Sequence, residues 1–149
     1  MIEVRDVKKS FGDKQVLKGV SAIMLPGKTN LIIGTSGSGK TVLASALMEM
    51  TREKGNRSTM VVDRLSLIDQ TSATFDRYGL PHGVVQGEHF RFAPYERIQV
   101  CSVQTLAKRR WPDSQVDVFD EAHVLHAAHK KRMTSDESVI IGLTATPFT

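Results

Sequence analysis

The sequence predicts an α/β domain: a mostly parallel sheet with helices on both faces, preceded by a β-hairpin. Three observations carry that prediction. Short apolar runs recur at 31–33, 59–62, 98–103, 116–119 and 139–143. Stretches with apolar residues at helical spacing separate several of them, and strands joined through helices need crossover connections, which make neighbours parallel. A glycine-rich stretch joins the first of these strands to the first helix, and 149 residues suffice for one domain with its own core.

The elements follow in order. Ile2, Val4 and Val7 precede a Phe11-Gly12-Asp13 turn, and Val16, Leu17, Val20 and Ile23 follow it, which reads as a hairpin. Pro26-Gly27 punctuates the chain, and Leu31-Ile32-Ile33 is a strand running straight into Gly34. Thr41 to Lys54 contains neither Gly nor Pro, and Val42, Leu43, Ala46, Leu47 and Met50 form one helical stripe. Thr59–Val62 reads as a strand and Leu65 to Tyr78 as a helix with Leu65, Ile68 and Phe75 inward. Strands are then expected at Ile98 to Val103, Val116 to Phe119 and Val139 to Leu143, with a further short one at Gly83–Val85.

Composition narrows the function classes. The single cysteine, Cys101, excludes an internal disulfide framework and a multi-thiolate zinc site, and its apolar strand makes it a core residue. No run reaches the 18 or so apolar residues of a membrane span, and the N-terminus lacks a charged-then-apolar signal pattern, so a cytoplasmic location is expected. Residues 1–57 hold ten basic and five acidic side chains, a balance of +5, while residues 58–149 hold ten and eleven, a balance of −1. A bound anion or a solvated face accounts for that N-terminal excess about as well as a polynucleotide does.

Gly34-Thr35-Ser36-Gly37-Ser38-Gly39-Lys40-Thr41 matches G-x-x-x-x-G-K-[ST] in full, between a predicted strand and a predicted helix, and so reads as a P-loop. Glycines let backbone N–H groups wrap phosphate oxygens, and the helix N-terminus adds partial positive charge. Lys40 would reach the β- and γ-phosphates of ATP and the Thr41 hydroxyl would bind Mg²⁺. Val116 to Phe119 ends in Asp120-Glu121: Asp120 would orient the Mg²⁺, and Glu121 would polarise the attacking water as general base.

Asp120-Glu121-Ala122-His123 is a DEAH box, and Gly142-Leu143-Thr144-Ala145-Thr146-Pro147-Phe148 resembles motif III of superfamily 2 helicases. Residues Val62 to Gln70 look like motif Ia, and Val103-Gln104-Thr105-Leu106 falls where motif Ib is expected. Over about residues 44–149 the chain resembles the first RecA-like motor domain of the DEAD/DEAH-box group. That resemblance implies ATP at the P-loop, His123 linking the ATP site to motif III, and Thr144 and Thr146 as coupling residues. It also implies a single strand of DNA or RNA crossing Arg64, Gln70, Gln104 and Thr105, and a partner, either a second motor domain or another copy, that supplies a catalytic arginine. Helicases hydrolyse ATP between two such domains, and residues 1–149 carry no match to motif VI or its arginine finger. Hydrolysis by this chain alone is therefore expected to be weak, and binding of single strands weak and salt-sensitive.

Residues 1–43 resemble something else. Met1 to Val7, Ser10-Phe11-Gly12, Val16 to Ser21 and Leu25-Pro26-Gly27-Lys28 look like the opening of an ABC-transporter ATPase, whose A-loop aromatic, here Phe11, stacks on adenine. The L-S-G-G-Q signature of that family is absent. Two readings stay open: an ABC-like N-terminus joined to a helicase-like core around residues 41–50, by laboratory recombination or otherwise, or a natural divergent helicase. Within the single domain expected over 1–149, two function classes likewise stay open, an ATPase motor domain and a composite module that holds nucleotide or phosphate without turnover. His126 and His129 read as a polar helix face rather than metal ligands. Lys108-Arg109-Arg110 beside Trp111 could grip phosphates with an aromatic for stacking, and Lys130-Lys131-Arg132 reads as solvated loop.

Overall fold

The computed structural model describes residues 2–11, 13–25, 29–33, 40–87, 89–108, 112–120 and 139–144. Their order is β1 (Ile2–Phe11), β2 (Lys14–Met24), β3 (Thr29–Ile33), α1 (Lys40–Glu53), β4 (Ser58–Val62), α2 (Leu65–Arg77), β5 (Gly83–Val85), β6 (Ile98–Ser102), α3 (Val103–Leu106), β7 (Val116–Phe119) and β8 (Val139–Thr144). Six strands form one sheet in the order β3-β8-β7-β4-β6-β5, and all five pairings are parallel. The expected α/β architecture is therefore present, down to the three-residue β5.

Every residue of β4, β6, β7 and β8 is buried. Strands covered on both faces lose the strict apolar and polar alternation of an open sheet; here Met60-Val61-Val62 and Val139-Ile140-Ile141 run unbroken, while Thr59, Gln99 and Asp117 are polar residues buried with them. One core layer joins Met60, Val62, Ile98, Val100, Val118 and Ile141 to both long helices. The other contains Val61, Cys101, Phe119 and Ile140. Cys101 is the expected core residue, and burial pushes its thiol pKa well above the ordinary value.

The hairpin forms a separate two-stranded antiparallel sheet. Its register slips between Val4 and Val7, where Asp6 adopts φ 49° and its N–H donates to Ser21 Oγ at 2.9 Å. Asp tolerates this left-handed conformation better than most residues, and the bulge bends the strand. Across from it Gly19 has φ 101°, and a Cβ there would lie 2.5 Å from Asp6 Oδ1. Val4 and Met24 enter the main core, but between β1 and α1 a groove of about 260 Å³ is lined by Val7, Val42, Ala46, Met50 and Tyr78 among others. Asn30 ties the end of the hairpin to the sheet, its Nδ2 donating to the Leu25 carbonyl at 3.0 Å and to the Ile140 carbonyl at 2.9 Å.

Two helix faces differ from expectation. In α1 the buried residues are Ala44, Ser45, Leu47, Met48 and Thr51, whereas Val42, Leu43, Ala46 and Met50 are half-buried. Ser45 and Thr51 tolerate burial because their hydroxyls donate to the helix's own carbonyls, Thr41 O and Leu47 O, each at 2.8 Å. In α2, Ile68 and Phe75 are buried as expected, joined by Thr71 and Ser72, but Leu65 is 53% exposed. Leu65 is the first residue of its helix, outside the carboxyl end of β4, where the sheet no longer lies beneath it.

Candidate functional site

Parallel strands all end on one side, so the loops that follow them gather along one edge, where open α/β sheets bind their ligands. Here that edge receives the ends of β3, β8, β7, β4 and β6. Thr144, the last residue of β8, is buried and sits in register beside Ile33, the residue before the glycine loop. Asp120 follows β7 directly; it is half-buried, and its N–H donates to the Val61 carbonyl at 2.9 Å. Lys40 and Thr41 open α1, where Thr41 is half-buried. Residues of three expected motifs thus share the edge.

The remaining expectations for this site fall on residues the structure does not describe. Gly34, Thr35, Ser36, Gly37, Ser38, Gly39, Glu121, His123 and Thr146 lie outside the described residues, as do His126, His129, Arg109, Arg110, Trp111 and Lys130 to Arg132. Phe11 closes β1 opposite Lys14, and Lys40 is the first residue of α1, but the side chains of both lie outside the description.

The segments matching motifs Ia and Ib meet beside it. Arg64 caps α2 with extended backbone (φ −109°, ψ 137°) and is exposed; Gln70 lies further along α2, also exposed. Ser102 caps α3, its Oγ accepting from the Thr105 amide at 3.4 Å, which turns residues 103–106 into one short helix that the sequence pattern did not reveal. Gln104 is exposed, yet its side-chain amide donates to the Asp63 carbonyl and its oxygen accepts from Ser102 Oγ at 2.8 Å. The Thr105 hydroxyl accepts from the Gly87 amide at 3.2 Å. Gln104 therefore joins the two segments, holding the backbone immediately before Arg64.

Two polar clusters went unnoticed in the sequence. Asp117, in the middle of β7, is fully buried and accepts from Thr59 Oγ1 at 2.6 Å and from Ser114 Oγ. An acid inside an otherwise apolar run was its only signal. Its partner comes from residue 59, which no local pattern links to it. The second cluster lies between α2 and β5. His82 Nδ1 donates to the Leu80 carbonyl at 2.8 Å, and its Nε2 lies 2.7 Å from Ser72 Oγ. Arg91 donates to Ser72 Oγ at 3.0 Å and pairs with Asp76 at 2.7 Å. The Arg91 hydrogen bond holds the Asp76 carboxyl below its usual pKa and in return raises that of Arg91. Among the described residues no group of three or more His, Cys, Asp or Glu side chains could hold a metal ion, and no helix is long and apolar enough to cross a membrane.

Comparison with known proteins agrees with this architecture. The protein resembles the UvsW helicase of bacteriophage T4 (16% identity, TM-score 0.67, 80% of this chain and 47% of that one). It also resembles the SWI2/SNF2 ATPase core of Sulfolobus solfataricus solved in complex with dsDNA (18%, 0.64, 82% and 28%). At such identities the likeness concerns the fold. Among curated proteins it is 34% identical over 118 residues to protein TRIGALACTOSYLDIACYLGLYCEROL 3, chloroplastic, of Arabidopsis thaliana, covering 70% of this chain and 32% of that protein. It is 26% identical over 136 residues to the uncharacterized amino-acid ABC transporter ATP-binding protein YhdZ of Escherichia coli, covering 87% and 52%. The chain thus spans about a third to a half of the length of these two relatives. A family model matches residues 7–149, through the hairpin, the P-loop sequence and the six-stranded sheet alike. On that match the chain belongs to the family described as type III restriction enzyme, res subunit.

Proposed function

We propose that this chain is an ATP-binding motor domain of helicase type, one P-loop domain over residues 1–149, that hydrolyses ATP slowly by itself. The observation that carries the proposal is the shared edge: Thr41, Asp120 and Thr144 stand at the carboxyl ends of neighbouring strands and the start of α1, beside the end of β3 that feeds the glycine loop.

The donor set suits the expected cofactor. The Thr41 hydroxyl and the Asp120 carboxylate are hard oxygen donors, the kind Mg²⁺ prefers, and in P-loop enzymes the ion neutralises charge on the β- and γ-phosphates. Lys40 and the backbone of Gly34 to Gly39 bind the phosphates, and Glu121 takes the proton of the attacking water. Phe11 stacks on adenine. Thr144 and Thr146, with His123, pass the state of the phosphate site to the nucleic-acid face. There a single strand crosses Arg64, Gln70, Gln104 and Thr105, weakly and in a salt-dependent manner. The cation that stabilises the transition state is worth about 10³ to 10⁵ in rate in P-loop enzymes and comes from a second motor domain or a second copy.

Fluorescent-nucleotide titration tests the binding half: wild type binds with Mg²⁺, and Lys40→Ala loses most of the affinity. Equal binding by both would overturn the P-loop assignment. Phosphate release tests the rest. A slow rate that Glu121→Gln lowers further, with ATP binding preserved, supports the motor reading.

A second reading has its own support. The hairpin is a separate sheet, and one ABC transporter ATP-binding protein among the curated relatives matches over only 50 residues, as a composite of an ABC-like N-terminus through residue 43 and a helicase-like remainder would give. Such a module holds nucleotide or phosphate without turnover, so phosphate release indistinguishable between wild type and Glu121→Gln favours it.

A further inference from the structure

The loop after β5 is fastened to both segments proposed above to carry a nucleic-acid strand. Gly87 donates its N–H to the Thr105 hydroxyl, and His89 Nε2 meets Asp69 Oδ1 of α2 at 2.8 Å. The His89 side chain is only 10% exposed, so its ring is an anchored surface. Phe90 lies on that surface, with ring centroids 4.7 Å apart and planes inclined by 20°. The Arg91 guanidinium stands 5.8 Å from the Phe90 centroid and is itself fixed by Asp76 and Ser72. Phe90 is nevertheless 85% exposed.

A single exposed phenylalanine is ordinary on a protein surface. This one differs in being held by an anchored imidazole and an anchored guanidinium while almost all of it stays in water. Burial does not place it there. Its position joins the Arg64 end of α2 and the α3 turn through two hydrogen bonds.

We infer that Phe90 is a base-stacking residue: its outer ring face takes one base of the single strand that crosses Arg64 and α3. The inference rests on the nucleic-acid part of the proposed function and adds to it the residue that reads the strand's unstacked bases. An aromatic face accepts any base, so the contact is independent of sequence. Charge around it fits the same occupant. Arg64 is exposed and makes no ion pair among the described residues, and exposed Lys108 follows α3, so both are open to phosphates. The two acids of α2, Asp69 and Asp76, are engaged by His89 and Arg91.

Anisotropy titrations with a labelled oligothymidylate and with the same strand carrying abasic sites test this. Phe90→Ala is expected to weaken the thymidylate roughly 5- to 100-fold while Phe90→Trp retains it, and the two proteins should bind the abasic strand alike. Arg64→Ala should weaken both strands and flatten the salt dependence. Because Phe90 is exposed, the urea midpoint of Phe90→Ala should match wild type. If Phe90→Ala binds the thymidylate as wild type does while Arg64→Ala loses it, the stacking role is overturned and the strand track stands. If wild type binds neither strand, both fall.

Discussion

The hairpin and the six-stranded sheet are built from similar residues, Val, Ile and Leu in runs, but different surroundings hold them. In β4, β6, β7 and β8 every residue is buried, and each of these strands has a hydrogen-bonded neighbour on both sides. The hairpin has only itself as sheet partner, slips register at three places, sends Val4 and Met24 into the core, and leaves Ile23 and Leu25 exposed. A groove separates part of it from α1. Strand propensity suits both, while only the sheet is buried on two faces and paired on both sides.

Substitutions can break or sharpen that contrast. Phe119→Ala empties a fully buried site at the centre of the sheet and should cost about 3–5 kcal/mol in urea unfolding, with all probes moving together. Gly83→Ala should follow at about 1–3 kcal/mol, because its Cβ would meet the Ala93 carbonyl at 2.5 Å and the Gln99 side chain at 2.8 Å. Val4→Ala, in the hairpin, should cost about 1–2 kcal/mol. Its signature is local: hydrogen exchange should speed in β1 and β2 well before the sheet responds. A global loss as large as that of Phe119→Ala would erase the distinction between the two regions. Phe11→Ala tests the proposed adenine contact and should weaken ATP about tenfold or more while sparing pyrophosphate. Equal loss of both ligands would mark a folding defect.

The smallest effect belongs to the partly exposed Asp76–Arg91 pair, worth a few tenths of a kcal/mol. Because Arg91 lowers the Asp76 pKa, the pair's contribution is present above the carboxyl's unfolded value and is lost as pH falls through the lower folded value. Asp76→Asn should therefore be slightly less stable than wild type at neutral pH and equal to it in strong acid. A gap that persists in acid would show that packing, not charge, sets the difference.

Where local pattern determines structure, the sequence was legible. Most strands of the parallel sheet are built around apolar residues, and the glycine-rich stretch falls between β3 and α1 in the chain order. Legibility failed where hydrogen bonds replace hydrophobicity. Ser45 and Thr51 are buried because helix carbonyls satisfy them, so the inward stripe of α1 falls elsewhere than an apolar count places it. Leu65 is exposed because its helix begins past the edge of the sheet. Of the candidate site, the placement of Thr41, Asp120 and Thr144 on one edge follows from parallel topology alone. The Gln104–Asp63 bond, the Asp117 cluster and the seat of Phe90 depend on contacts between residues 18 to 58 positions apart, which no window of sequence contains.

One pairing bears on how the chain comes off the ribosome. β3 borders β8 alone in the sheet, and Asn30 bonds a carbonyl 110 positions later. At 5–20 residues per second, roughly 5 to 20 s separate the emergence of the two partners. Throughout that interval the strand leading into the glycine loop lacks its sheet partner among the described residues, and the Asn30 link from the hairpin to Ile140 is unmade. Nascent chains are then exposed to mispairing at that strand, and whatever binds it transiently, chaperone or sister chain, competes with the closing of the sheet rather than with its opening.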